Sequence, residues 1–161
     1  MAKLDSIDSD EALDREKFDI ANRLYFRLYQ SSNLLHKVGT RFVSEFGATT
    51  QQWAVLGALS RPVARNGMMI KELLDFLLVS RQNLTPLLDR LEGRGWIERV
   101  KDPADGRNRR IELTPIGRET WSNMLISIGD FYSESTHNFT MEDKIMLFRL
   151  LDRLKNNLNE L

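Results

Sequence analysis

At 161 residues and 42% apolar content the chain is long enough for one domain with its own core, and its 23 basic residues are balanced by 23 acidic ones. No apolar run approaches the roughly 18 residues of a membrane-spanning helix, and the opening MAKLDSIDSDEALDREKF is acidic where a targeting peptide is basic, so a cytoplasmic protein with no membrane partner is expected. Without cysteine there are no disulfides, thiol catalysis or thiolate metal sites, and two histidines, His36 and His137, are too few for a zinc site; no metal and no other cofactor is expected.

The charge balance argues weakly against nonspecific nucleic-acid binding, but it hides an uneven distribution. Residues 1–19 hold seven acids against three bases, whereas residues 81–118 hold nine bases against six acids. Residues 1–14 read as an acidic flexible leader and 15–161 as a single domain. Arg15 to Phe46 carries Ile20, Leu24, Leu28, Leu35, Val38, Phe42 and Phe46 at helical spacing, which predicts one long amphipathic helix stopped by Gly47. Thr49 or Thr50 can cap a second helix, TQQWAVLGAL, with Trp53, Leu56 and Leu59 inward, and a third follows from about Met69 to Phe76. Ser80 is an N-cap for a fourth, RQNLTPLLDRLEGR, which turns Leu84, Leu87, Leu88 and Leu91 inward and ends at Gly95. The short connection between the third and fourth suits a helix-turn-helix.

After Gly95 the period changes. WIERV and RRIEL read as two antiparallel strands joined by KDPADGRN, a hairpin that serves as a wing and places its arginines at a loop tip, within reach of a phosphate-lined minor groove. Thr114 then caps a fifth helix with Pro115 at its first position, through Trp121, Leu125 and Ile128 to about His137. The last helix, from Thr140, carries Ile145, Phe148, Leu151, Leu154, Leu158 and Leu161 on one seam. The fold class is mainly α with a small β-hairpin: a winged helix-turn-helix over about 49–113, flanked by long helices over about 15–46, 115–137 and 140–161.

Asp105, Arg107, Leu113, Thr114 and Gly117 stand in the order Asp, any residue, Arg, five residues, Leu-Thr, two residues, Gly, and the segment VSRQNLTPLLDRLEGRGWIERV sets Asp89, Arg90, Leu91, Glu92 and Gly95 before a hydrophobic residue. On these residues the chain resembles the MarR family of bacterial transcription regulators over nearly all its length after the leader. Two features depart from it: Gly106, where consecutive arginines are common, and Pro86 inside the fourth helix, which predicts a kink or tightening. The resemblance implies a bidentate pair in which Asp105 holds the Arg107 guanidinium, stabilising the wing.

Arg107, Arg109 and Arg110 taken alone are compatible with a solvated turn; the motif turns the reading toward DNA contact. Arg81, Gln82, Asn83 and Thr85 fit helix surface too, but Arg, Gln and Asn are the side chains able to pair bidentately with base edges, at the helix end that enters a major groove. Trp53 and Trp121 read first as packing, and His36 as satisfied locally or exposed. The resemblance also implies an effector crevice where the first, second and fifth helices meet the winged part, often taking a small aromatic carboxylate or phenol. Ser32, His36 and Trp53 are its candidates, and the SRQNLT opening is similar to regulators of aromatic catabolism.

The surplus of apolar seam predicts a homodimer whose first, fifth and sixth helices meet across a two-fold axis, with recognition helices about 34 Å apart on an inverted repeat of double-stranded DNA. The expected function is a sequence-specific repressor released from a palindromic operator by the ligand. An architectural or helical interaction module on the same fold is the alternative. An enzyme is not expected, because no nucleophile–base motif, Gly-rich phosphate loop or metal spacing is present.

Overall fold

Leu4 to Phe42 form one helix of 39 residues, α1, about 58 Å long at the usual rise. The computed structural model describes residues 4–103 and 105–161, with side chains from residue 13 onward. The helix starts well before the expected Arg15: acidic residues suit the positive end of a helix dipole, and neither Gly nor Pro interrupts the chain before Gly39. The leader read over 1–14 is therefore helical backbone from Leu4, and its first three residues lie outside the described ones. The helix also ends earlier than expected. A 3₁₀ turn, Ser44–Phe46, follows it, and Gly47 at φ 63° closes that turn by donating to the Ser44 carbonyl.

Helix α2 (Thr50–Leu59) starts with a capping box in which the Thr49 hydroxyl accepts from the Gln52 N–H and the Gln52 side chain accepts from the Thr49 N–H. It is buried nearly all round, with Val55, Leu56, Ala58 and Leu59 in the core and the expected Trp53 only half-buried. Strand β1 (Met68–Met69) and helix α3 (Ile70–Leu77) follow, then α4 (Arg81–Gly93). Ser80 caps α4 by accepting from the Asn83 N–H, and Leu84, Leu88 and Leu91 are its buried face, with Leu87 half-buried at the edge. The helix runs unbroken through Pro86.

Strands β2 (Ile97–Lys101) and β3 (Arg109–Leu113) form the expected hairpin, pairing from Ile97 opposite Leu113 to Lys101 opposite Arg109. The sheet has a third strand that periodicity did not indicate. β1 pairs with the other edge of β3, Met68 opposite Ile111 and Met69 opposite Arg110, giving the order β1-β3-β2. A two-residue strand is too short to show alternation. This is a winged helix: α2, α3 and α4 pack on the buried faces of β2 and β3 in one core.

Helix α5 (Pro115–Ser135) is capped by Thr114, whose hydroxyl accepts from the Gly117 N–H and donates to the Gly95 carbonyl. A side chain at Gly117 would place its Cβ 1.9 Å from the Trp96 carbonyl oxygen, so only glycine lets this first turn sit on the strand. The Leu-Thr and Gly of the sequence motif are thus a buried strand end, a helix cap and a close approach. Met124, Ile128 and Phe131 are the buried face of α5; the expected Leu125 lies one position round the helix and is exposed. Helix α6 (Met141–Asn159) has a capping box between Thr140 and Asp143, whose N–H bond from Thr140 holds the Asp143 carboxyl below its usual range. None of its residues is buried.

Candidate nucleic-acid interface

The basic excess between residues 81 and 118 divides into two groups. Arg94, Arg99 and Arg110 are bound within the fold. Arg94 donates to the Phe46 carbonyl at 2.8 Å and lies over the Trp96 ring. Arg99, on β2, grips α4 from outside, pairing with Asp89 at 2.6 Å and with Glu92. The Asp89 and Glu92 of the recognition segment therefore fix the helix to the hairpin.

Arg110, expected as a DNA contact, is engaged within the fold. Its guanidinium donates to the carbonyls of Asn66 and Gly67, each at 2.7 Å, and to the Asp102 carboxylate at 3.0 Å, leaving the side chain 21% exposed. Arg107 and Arg109 are exposed at the hairpin end and pair with no acid among the described residues.

Asp105 stabilises the turn by a different bond from the one expected. Its carboxylate accepts from the Arg107 backbone N–H at 3.0 Å and from the Asn108 side-chain amide at 3.2 Å, not from the Arg107 guanidinium. This is the local side-chain-to-backbone closure that Asp makes in turns. It leaves the guanidinium outside the turn, available to a phosphate.

On α4, Arg81, Gln82, Asn83 and Thr85 are all exposed. The Thr85 hydroxyl donates back to the Arg81 carbonyl at 2.9 Å, whereas the Arg81, Gln82 and Asn83 side chains make no such bond among the described residues. Gln82 and Asn83 also line a cleft of about 930 Å³. Across from them stand His36 of α1, Thr49 and Thr50 at the start of α2, Trp53, and Phe131 and Tyr132 of α5, while Pro86, Leu87 and Arg90 continue the α4 wall.

Trp53 meets Phe131 edge-on and Tyr132 lies tilted to both, with centroids 5.8 to 6.0 Å apart. Burial pushes the Tyr132 phenol above its usual value, opposed by its hydrogen bond with Trp53, so it is uncharged at neutral pH. The His36 ring nitrogen Nδ1 is 2.8 Å from the Thr50 hydroxyl. His36 and Trp53 thus lie together as expected, but Ser32, one turn earlier on α1, is exposed and outside the lining. Arg90 and Tyr132 are cleft residues that sequence reasoning missed; Arg90 sits two turns after Asn83 on one face, which was the only available signal.

A second concavity, about 720 Å³, runs along Ile20, Leu24 and Phe26. It is one side of an unpartnered helix, not a space between elements.

Comparison with known proteins agrees with this geometry. A family model described as MarR family matches residues 46–108. Over 152 residues, 91% of this chain and 86% of its relative, the sequence is 46% identical to the transcriptional activatory protein BadR of Rhodopseudomonas palustris. The structure is similar to that of a MarR mutant from E. coli complexed with operator DNA, with a TM-score of 0.73 and 27% identity over 81% of this chain and 92% of that one. It also resembles AbfR of Staphylococcus epidermidis, with a TM-score of 0.77 and 26% identity over 91% and 98% of the two chains. With a near-full-length relative at this identity, a family match running through the helix-turn-helix and the first strand of the hairpin, and the winged fold itself, the chain belongs to the MarR family of transcription regulators.

Proposed function

We propose that the protein is a sequence-specific DNA-binding regulator that grips an inverted repeat as a two-fold dimer and is released when a small aromatic carboxylate or phenol enters the α1–α2–α5–α4 cleft. The observation that carries the reading is the separation of the polar side chains: the structural arginines are tied down, while Arg107 and Arg109 at the hairpin end and Arg81, Gln82 and Asn83 at the start of α4 present donors with no side-chain partner among the described residues. Backbone contacts come from the wing and base-edge contacts from α4. The operator complex of the 27%-identical MarR supports this arrangement.

The dimer follows from apolar surface. Ile20, Leu24 and Phe26 on α1 and Ile145, Phe148, Leu151 and Leu158 on α6 are all more than 40% exposed, more than an isolated soluble chain leaves in contiguous helix faces. The ligand class follows from the cleft: three aromatic side chains for a ring, with Arg90, His36 and the neutral Tyr132 phenol for a carboxylate or hydroxyl. Because Gln82 and Asn83 belong to the same cleft, a bound ligand acts on α4 without an intermediary. Release requires that it bind the free protein more tightly than the operator complex.

Release at a site overlapping a promoter makes the protein a repressor, as the sequence reading expects. A second reading, activation, is favoured by the name of the 46%-identical relative, a transcriptional activatory protein. Selection of duplexes from a random pool, followed by titration of benzoate and phenol into the complex, tests the common part. Selective enrichment of an inverted repeat and its release by either compound are expected, whereas binding without sequence preference, or ligand-insensitive binding, rejects the corresponding half of the proposal. A reporter fused to the native promoter decides the sign.

A further inference from the structure

We infer that Arg110 is a positioning residue that sets where the wing presents Arg107, and does not itself touch DNA. The inference rests on the reading of Arg107 as a DNA contact.

Arg110 sits on the central strand, opposite Val100 on β2 and Met69 on β1. Asp102 lies two residues beyond Val100, the diagonal position that a long side chain reaches across a pair of strands. One guanidinium therefore joins three pieces of chain. On one side it donates to the Asn66 and Gly67 carbonyls in the loop before β1; on the other it donates to the Asp102 carboxylate, which is 8% exposed; and Glu72 at the start of α3 lies 3.9 Å away.

From Asp102 the bonds continue outward. The other Asp102 oxygen accepts from the Asp105 N–H at 3.1 Å, and the Asp105 carboxylate accepts from the Arg107 N–H at 3.0 Å. A continuous path thus runs from the loop before β1 to the backbone of Arg107. The β1–β3 ladder reaches only as far as Arg110, because β1 has two residues, and leaves the turn that carries Arg107 outside it. The fixed planar fork of arginine can serve two carbonyls and a carboxylate together, which an ammonium on a flexible stem does not reproduce.

The experiment measures affinity of the full-length protein for the duplex that the wild type selects from a random pool, well below the melting temperature of each variant. Arg110→Gln and Arg110→Lys are both expected to lose about five- to thirtyfold, with faster hydrogen exchange at the Arg107 and Asn108 amides. Adding Arg107→Ala to Arg110→Gln is expected to cost much less than Arg107→Ala alone, since an unbraced wing already misplaces that arginine. Asp102→Asn breaks the same path from its other end and is expected to repeat the pattern, giving a second variant should Arg110→Gln fail to fold. Wild-type affinity in Arg110→Lys marks Arg110 as a mere positive charge and overturns the inference. So do losses from Arg107→Ala and Arg110→Gln that multiply fully; in that case the DNA role of Arg107 survives. No loss from Arg107→Ala alone removes that parent role and this inference with it.

Discussion

Arginine serves two opposed purposes between residues 81 and 118. Arg94, Arg99 and Arg110 saturate carbonyls, carboxylates or a ring inside the fold, while Arg107 and Arg109 at the hairpin end stay unpaired among the described residues. Arg107→Ala is accordingly expected to weaken binding to every duplex by about 1–3 kcal/mol and to reduce the salt slope by about one, with the fold unchanged. Titrations at several salt concentrations check this; an unchanged slope removes Arg107 from the interface. Gln82→Ala and Asn83→Ala are expected to relax preference at particular bases with little effect on nonspecific affinity, which repeating the duplex selection with each variant reads directly. The motif revealed the importance of Asp105 but not its bond: spacing allowed a guanidinium pair, whereas the carboxylate is used by the Arg107 backbone N–H, a choice made by turn conformation. The anchoring of Arg110 was illegible in the sequence for a related reason. Its partners, Asn66 and Gly67, are more than forty positions away in the chain, and a carbonyl leaves no mark on residue type.

At the scale of elements, the helix starts were legible because their caps are local. Ser80, Thr114 and Thr140 stand where Ser and Thr followed by helical periodicity placed them, each accepting from an N–H three residues on. The unexpected start of α1 and the two-residue β1 have no such signal; β1 exists because β3 offers it an edge. The junction between α5 and the hairpin is the least tolerant. Gly117→Ala puts a methyl against the Trp96 carbonyl and is expected to cost about 1–3 kcal/mol through displaced backbone, lowering the melting temperature by a few degrees per kcal/mol. A melting temperature equal to wild type would mean that the α5 turn shifts freely. Arg99→Ala should act on α4 alone, since it releases Asp89 and Glu92 together. Faster amide exchange in the last turns of α4 is expected, and unaltered protection there contradicts a clamp.

For the whole molecule, the two ends of the chain dominate. An α1 of about 58 Å, exposed along most of its length, and an α6 with no buried residue leave long faces uncovered within one subunit, and both are legible in the sequence as apolar seams longer than a winged domain covers. What the sequence did not disclose is that α4 forms one wall of the aromatic cleft, because that proximity is made by tertiary packing between residues as distant as His36, Gln82 and Tyr132. Phe148→Asp, on the exposed face of α6, is expected to yield a folded monomer with sharply reduced operator affinity, since a charge is costly at an apolar interface and a single half-site forfeits the gain of linked contacts. Sedimentation of the variant as a stable dimer would move the interface elsewhere. The most direct test of the central claim, that two recognition helices read two half-sites together, is footprinting of the wild-type protein on genomic DNA from its own upstream regions. The account expects protection of a short inverted repeat with half-site centres about ten base pairs apart; protection that spreads uniformly along the duplex, with no preferred site, would contradict it.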